Sequence, residues 1–127
     1  MKYEGFYYGA GSFYDDWRKK VAEECRIEVY DPRDGPQTAA FTFIPADFHA
    51  IDNSVAVIAR PSPPPTRCSG TAAEIGYAAA KGIPVLIIFE EAVPDMFLVG
   101  CAKRVFFGVD AFIAWFNDRQ AKGLPIL

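Results

Sequence analysis

The stretch at residues 69–85 reads SGTAAEIGYAAAKGIPV and joins two short apolar runs. Residues 55–59 (VAVIA) precede it and residues 85–89 (VLIIF) follow, and both runs are rich in β-branched residues, as strands buried on both faces are. A strand, a helix and a strand form a crossover unit, whose helix begins above the carboxyl end of the first strand. Open α/β sheets bind ligands at that edge, so Glu74 is predicted to face a ligand crevice from a helix start.

The same alternation of strands and helices continues along the rest of the chain. Further strands are predicted at residues 3–8, 26–30 and 104–107, and helices at residues 13–25, 45–52 and 109–122. The fold class is therefore predicted as α/β, with a single doubly wound (flavodoxin-like or Rossmann-like) parallel sheet of five strands and helices on both faces. We expect one domain over residues 1–127.

Composition and charge narrow the class of ligand. With 127 residues, a net charge of -3 and a pI near 5.1, the chain has no broad cationic surface, so neither nucleic acid nor a membrane is expected as a partner. No apolar run approaches the roughly 20 residues that span a bilayer, and the start has no signal-peptide core, which predicts a cytoplasmic protein. Three widely spaced cysteines predict neither a disulfide framework nor a zinc site.

Several polar and aromatic segments should meet at the carboxyl edge of the sheet. The predicted loops at residues 9–12 and 31–37, a helix start at Asp47, Glu74, and Asp95 after the fourth strand all fall there. Their side chains are acidic and aromatic, the aromatic ones being Tyr7, Tyr8, Phe13 and Tyr77. Such a site favours a neutral, planar ligand with hydroxyl groups, such as a nucleoside, over a polyphosphate.

Three motifs resemble one known family. Residues 7–13 (YYGAGSF), residues 47–57 with DFHAI and VAV, and residues 70–78 (GTAAEIGYA) are similar to motifs of the nucleoside 2-deoxyribosyltransferases, whose relatives include hydrolases of nucleoside or nucleotide N-glycosidic bonds. The resemblance covers roughly residues 5–105, and the third motif is the most specific. It implies a nucleoside 2′-deoxyribosyltransferase that transfers the sugar to another nucleobase or to water.

The resemblance also implies roles for individual residues. Glu74 would be the nucleophile on C1′ of the sugar, Asp47 would handle the leaving base, and Tyr7 would orient Glu74. The substrate-binding residues that it implies are Gly9, Gly11, Phe13, Gln37, Cys68, Ser69, Gly70 and Asp95. For this chemistry Glu74 should be ionised, helped by the first turn of its helix, and Asp47 should have a raised pKa through repulsion by Glu74 and Asp95.

The implied partners are small molecules and a second copy of the chain. These are a nucleoside or nucleotide and a nucleobase, with a homo-oligomer as the assembly and no cofactor or metal.

The sequence departs from the family's pattern at two positions. Cys68 stands where many transferases carry an aspartate, and Asp95 stands where an asparagine usually reaches into a neighbouring subunit's site. Relatives that hydrolyse nucleoside 5′-monophosphates also lack the aspartate at the position of Cys68. Ser69, Thr71 and Arg67 would suit a phosphate, so a nucleotide N-glycosidase is the alternative.

Other interpretations compete with these roles. Thr71-x-x-Glu74 also fits a capping box, in which the glutamate only caps its helix. Gly9-x-Gly11 with Asp31 twenty residues further on partly matches the dinucleotide-binding fingerprint, but its third glycine is missing. A non-catalytic module that binds nucleosides or nucleotides on the same fold is a third possibility.

Overall fold

The computed structural model describes residues 5–13, 15–35, 39–63, 69–90 and 94–127. Its five strands are β1 (Tyr7–Gly11), β2 (Val29–Tyr30), β3 (Ala56–Arg60), β4 (Val85–Phe89) and β5 (Arg104–Phe107). They form one sheet in the order β2-β1-β3-β4-β5, and every neighbouring pair is parallel. The predicted flavodoxin-like α/β fold is confirmed.

Helices cover both faces of this sheet. They are α1 (Trp17–Cys25), α2 (Ala40–Asp52), α3 (Ser69–Ala80), α4 (Met96–Cys101) and α5 (Val109–Ala121), with a short 3-10 helix at Pro32–Asp34. One core layer holds α1 and α5 against the sheet, and a second layer holds α2, α3 and α4 against the opposite face. Within the described residues, no helix is both long and apolar enough to cross a membrane.

Alternation along the strands decides which side chain faces which layer. On β1, Tyr7 belongs to the layer of α1 and α5, whereas Tyr8 belongs to the layer of α2, α3 and α4. Both side chains are fully buried. Successive residues of a strand point to opposite faces, so these two tyrosines cannot reach the same site.

The first strand is longer at its carboxyl end than predicted. Residues 9–11, predicted as a loop, are part of β1, which pairs with β3 as far as Gly11 and Arg60. Gly11 has φ +136°, and a Cβ there would clash with the carbonyl oxygen of Arg60. Glycine at this position allows the close approach of the two strands, which is a role that turn propensity does not reveal.

Two helices begin earlier than predicted, which changes where both carboxylates lie. Helix α2 starts at Ala40 and contains Pro45, so Asp47 lies within the helix instead of at its start. Helix α3 includes Ser69, which puts Glu74 beyond the first turn. Thr71 lies inside the same helix, so the capping-box interpretation is wrong, because such a box needs the threonine before the helix.

Two further features of the second half differ from expectation. Helix α4 was not predicted, and Asp95 caps it by accepting hydrogen bonds from the backbone N–H groups of Phe97 and Leu98, at 2.8 and 3.3 Å. Among the aromatic residues near the end of the chain, Phe112 and Phe116 are fully buried and Phe106 is 8% exposed, whereas Phe107 is 57% exposed.

Candidate active site

A cavity of about 640 Å³ opens at the carboxyl edge of the sheet, beside the end of β1 and between α2 and α3. Helix α3 lines it with polar groups and small residues, namely Ser69, Gly70, Thr71, Ala73 and Glu74. Helix α2 lines it with Phe43, Ile44, Asp47 and Phe48. The remaining wall comes from the last residue of β1 and the two residues after it, from Pro32 and Ser62, and from Arg18 of α1.

Glu74 is the most deeply placed carboxylate of this cavity. The hydroxyl of Tyr8 donates a hydrogen bond to its Oε2 atom at 2.7 Å, across 66 residues of sequence. Burial raises the pKa of Glu74 to about 7, and the negative charge of Asp47 adds to the increase, whereas the Tyr8 hydrogen bond and the positive charge of Arg18 lower it. Glu74 therefore changes between neutral and ionised forms near neutral pH.

Tyr8 takes the position that the resemblance gave to Tyr7. The pKa of Tyr8 is raised by burial and by the neighbouring Glu74, so its proton stays on the phenol oxygen and it acts as a donor. Tyr7 lies on the other face of the sheet, where its ring packs edge-on against Phe116 with ring centroids 6.0 Å apart. The orienting role predicted for Tyr7 is wrong, because the pleat of β1 turns that side chain away from Glu74.

Asp47 is the second carboxylate, on the wall opposite α3. It is partly buried, and burial raises its pKa to about 6. The increase was expected from the repulsion of Glu74 and Asp95, but its cause is loss of hydration. Asp95 is occupied in capping α4 and does not line the cavity.

A stacked aromatic pair joins the two helices that carry these carboxylates. The ring of Phe48, next to Asp47, lies 4.2 Å from the ring of Tyr77 with an interplanar angle of 2°. The Tyr77 hydroxyl donates to Asp52 of α2 at 2.8 Å, and Lys81 forms an ion pair with the same carboxylate at 3.6 Å. Tyr77, predicted at the ligand-binding edge, thus fixes α3 to α2.

Arg18 is the cavity residue that sequence reasoning missed most clearly. Its side chain is almost completely buried, with 4% exposed, although it carries a positive charge. The available signal was its place on α1, three residues before the buried Val21 and therefore on the inward face of the helix. Phe43 and Ile44 were missed because α2 was predicted to begin after them.

The other predicted binding residues divide into three groups. Gly11, Phe13, Ser69 and Gly70 line the cavity. Gly9 lies within β1, where its carbonyl accepts a hydrogen bond from Arg18 at 2.7 Å, and Asp95 lies at the start of α4. Gln37, Arg67 and Cys68 fall outside the described residues.

The site combines two ionisable carboxyl groups with aromatic and aliphatic walls. A carboxylate held by a phenol can attack an electrophilic carbon, and a carboxyl group whose pKa is raised can donate a proton to a leaving group. Phe13, Phe43 and Phe48 provide flat apolar surface beside these groups. The described residues contain no cluster of histidine, cysteine, aspartate and glutamate that would hold a metal ion.

Solved structures of other proteins share this architecture. A conserved protein from Enterococcus faecalis V583 is 20% identical and superposes with a TM-score of 0.74 over 91% of this chain and 98% of that chain. A 2-deoxyribosyltransferase from Bacillus psychrosaccharolyticus is 15% identical, with a TM-score of 0.69 over 84% and 89% of the two chains. A CMP N-glycosidase from Clostridium botulinum is 19% identical, with a TM-score of 0.56 over 87% and 98%.

Likeness at these identities establishes the fold, and the sequence itself establishes the family. Among curated protein sequences, none matches this chain significantly. The profile of the family described as nucleoside 2-deoxyribosyltransferase, however, matches residues 6–106, which include β1, α3 and both candidate carboxylates. The chain therefore belongs to the nucleoside 2-deoxyribosyltransferase family.

Proposed function

We propose that this protein is a nucleoside 2′-deoxyribosyltransferase that works through a covalent glycosyl-Glu74 intermediate. The observation that carries the proposal is the Glu74 carboxylate, held by Tyr8 in a cavity that also contains Asp47. Tyr8 occupies Oε2, which leaves Oε1 for the anomeric carbon of the sugar. The aromatic walls suit the successive binding of two planar bases, as transfer requires.

The proposed reaction has two displacement steps at C1′. In the first, Glu74 forms a bond to C1′ while the bond to the nucleobase breaks, and Asp47 gives its proton to the departing base. In the second, a nitrogen of the acceptor base bonds to C1′, Glu74 leaves as a carboxylate, and the proton of that nitrogen passes to Asp47. Water in place of the acceptor base would give free sugar.

A panel of substrates tests the proposal. Purified protein is incubated with deoxynucleosides, ribonucleosides and their 5′-monophosphates, each with and without a second free base, and the products are separated by chromatography. The proposal predicts an exchanged nucleoside whenever the acceptor base is present. Release of free sugar at the same rate with and without acceptor would identify a hydrolase, and binding without any product would identify a non-catalytic module.

A nucleoside 5′-monophosphate N-glycosidase is the second candidate, and two observations favour it. The hydroxyl-bearing residues Ser62, Ser69 and Thr71 line the cavity together with Gly70, close to the first turn of α3, where unpaired backbone N–H groups attract anions. Asp95, whose charge would repel a phosphate, is absent from the cavity wall. The monophosphates in the substrate panel distinguish this function from transfer.

We also propose that the protein forms a homo-oligomer. Large apolar side chains are exposed on two helices of one layer: Phe41 on α2 is 94% exposed, and Phe97 on α4 is 90% exposed. Exposed aromatic side chains of this size are typical of contact surfaces. Light scattering should give a mass of at least twice 14.0 kDa, and a mass of 14.0 kDa alone would exclude the assembly.

A further inference from the structure

Arg18 is a buried cation whose hydrogen-bond partners carry no charge. Its Nε donates to the carbonyl of Gly9 at 2.7 Å, its Nη1 to that of Ser12 at 2.8 Å and its Nη2 to that of Gly11 at 2.9 Å. The salt bridges found among the described residues do not include Arg18. A buried charge without an ion partner is costly, so the fold retains this one at the expense of stability.

Aromatic rings fix the guanidinium in place as well. Its carbon lies 4.9 Å from the centre of the Phe13 ring and 4.8 Å from that of Trp17. The Trp17 indole N–H donates to the Ser12 carbonyl at 3.0 Å, so Arg18 and Trp17 share an acceptor on the cavity wall. Arg18 thus connects the end of β1 with the ring of Phe13. These contacts hold the guanidinium group in one position relative to the cavity.

We propose that Arg18 is a positioning residue, which holds the wall formed by residues 9–13 and supplies the fixed positive charge that favours the ionised form of Glu74 needed for attack on the sugar. The proposal rests on the function proposed above, in which Glu74 is the nucleophile. It extends that function by assigning a residue that acts through Glu74 and through the cavity wall.

The groups that act on Glu74 show why such a charge is needed. Tyr8 of β1 donates a hydrogen bond, Asp47 of α2 carries a like charge, and Arg18 of α1 is the positive charge among these influences. Around Arg18 itself, burial lowers the pKa, Asp31 and the Tyr8 and Glu74 side chains favour its charged form, and Arg33 opposes it. Arg18 is therefore the positive charge that acts on Glu74, and Asp31 also interacts with that charge.

The protonation order of the two carboxyl groups gives the proposal a measurable consequence. Burial raises the pKa of both carboxyl groups, to about 7 for Glu74 and about 6 for Asp47, so the two groups compete for one proton near neutral pH. The reacting form has the proton on Asp47 and an ionised Glu74. Loss of the Arg18 charge would make that form rarer.

Arg18→Gln and Arg18→Met test the proposal with two readouts. The pKa of Glu74, measured by NMR with 13C-labelled glutamate side chains, should rise by about one pH unit, as expected for loss of a nearby opposite charge. The maximum of kcat/KM against pH should fall about tenfold, because the reacting form becomes rarer by that factor. Lys19→Gln is the matched control, since it removes the same charge from an exposed neighbour on the same helix and should change neither value.

Arg18→Lys separates the charge from the geometry, and it carries the test if neither neutral variant folds. An ammonium group keeps the charge but cannot connect three carbonyls as a planar guanidinium does. The pKa of Glu74 should therefore stay within about 0.3 pH units of the wild-type value. KM should rise several-fold, because the Phe13 wall is no longer held.

The proposal is overturned if the neutral variants fold with an unchanged Glu74 pKa, or if Arg18→Lys moves that pKa as far as they do. If only the Arg18→Lys variant folds, the proposal is overturned by a changed pKa of Glu74 or by an unchanged KM in that variant. The NMR titration needs no substrate, so it still tests the electrostatic role if the assigned activity proves wrong. An active Glu74→Ala variant would instead overturn the proposed function.

Discussion

Two clefts of nearly equal volume lie along the carboxyl edge of the sheet, and their charges are arranged in opposite ways. The cavity with Glu74 measures about 640 Å³, and a second cleft, lined by α1, β3, the start of α5 and the residues after β4, measures about 660 Å³. In the second cleft, Arg60 pairs with Asp15 at 3.0 Å and with Glu90 at 2.9 Å, and Lys20 pairs with Asp110 at 2.9 Å. In the first, Glu74 and Asp47 form no ion pair within the described residues.

This difference separates carboxylates that stabilise surface structure from carboxylates available for chemistry. An exposed ion pair neutralises its members and contributes little to stability. A carboxyl group buried without an ion pair keeps a raised pKa, and the protein gives up stability to hold it there. Size does not distinguish the two clefts, whereas the pairing of their charges does.

The largest expected effect comes from removing the carboxylate of the first cleft. Glu74→Ala should reduce base release by at least about 10³-fold with the fold intact, because in the proposed mechanism Glu74 is the group that bonds to C1′. The rate of base release and the circular dichroism spectrum check this. Glu90→Ala, the matched change in the second cleft, should alter the rate less than about twofold. Equal losses in both variants would remove the distinction between the clefts.

Asp47→Asn should depress base departure by about 10²-fold and change KM little, since it removes only the transferable proton. The wild-type pH profile of kcat/KM should rise through about 6 and fall through about 7, the values that belong to the Asp47 and Glu74 pair. The kcat/KM of Asp47→Asn should not decrease at high pH, because this variant has no carboxylic acid at position 47 to lose a proton. Asp16→Asn in the second cleft is the control, and an unchanged turnover in Asp47→Asn with a raised KM would contradict the role.

Stability should reveal the cost of burying Glu74. The folded-state pKa of about 7 exceeds the ordinary value of 4.5, so the folded protein binds more protons between these values and loses stability as pH rises through them. Glu74→Gln should therefore gain about 3 kcal/mol over wild type at pH 8 and nothing at pH 4. Urea unfolding at both pH values measures the difference. A gain that is equal at the two values would show that Glu74 is not buried as a costly charge.

The two tyrosines of β1 allow a comparison across the sheet. Tyr8→Phe should lower kcat about tenfold, because Glu74 loses a hydrogen bond that favours its ionised form. Tyr7→Phe, on the opposite face, should leave kcat within about twofold of wild type. Steady-state kinetics of both variants show which tyrosine orients Glu74. A larger loss of kcat in Tyr7→Phe would restore Tyr7 to the orienting role that the resemblance implied.

The smallest effect is expected in the second cleft. Arg60→Gln breaks two partly exposed ion pairs and should cost about 1 kcal/mol or less in unfolding free energy, with the rate of base release unchanged. Thermal unfolding and the standard assay check this. A loss of activity greater than about tenfold would show that the second cleft takes part in the reaction.

The sequence was sufficient for the fold, because β-branched runs and right-handed crossovers leave few topologies. β4 and β5 were located with the bounds that the structure has, since strong apolar runs next to Pro or Gly have clear ends. Helix starts were less accurate. Pro45 is typical of a first turn, yet α2 extends five residues before it, where apolar residues cover the cavity.

The two carboxylates of the site were identified from the sequence, whereas their environment was not. Glu74 and Asp47 belong to sequence motifs, but the choice between Tyr7 and Tyr8 depends on the pleat of β1, which a one-residue change reverses. Asp95 caps α4, and this six-residue helix is too short to show a helical pattern of apolar residues in the sequence. The capping role of Asp95 was therefore not predicted. Arg18 was missed because burial of an arginine is rare, and its three carbonyl acceptors come together only after β1 and α1 have packed.

Trp17, whose side chain lines the second cleft, is bonded to the wall of the first cleft and can report on that wall by fluorescence without an added dye. Its indole bonds to Ser12 and contacts the guanidinium of Arg18, so its emission should respond when a ligand displaces that wall. The chain contains one other tryptophan, Trp115, which packs with Phe106 in the core layer of α1 and α5. Replacing Trp115 with phenylalanine would leave a single emitter, whose titration reports ligand affinity directly, even for compounds that the protein does not turn over.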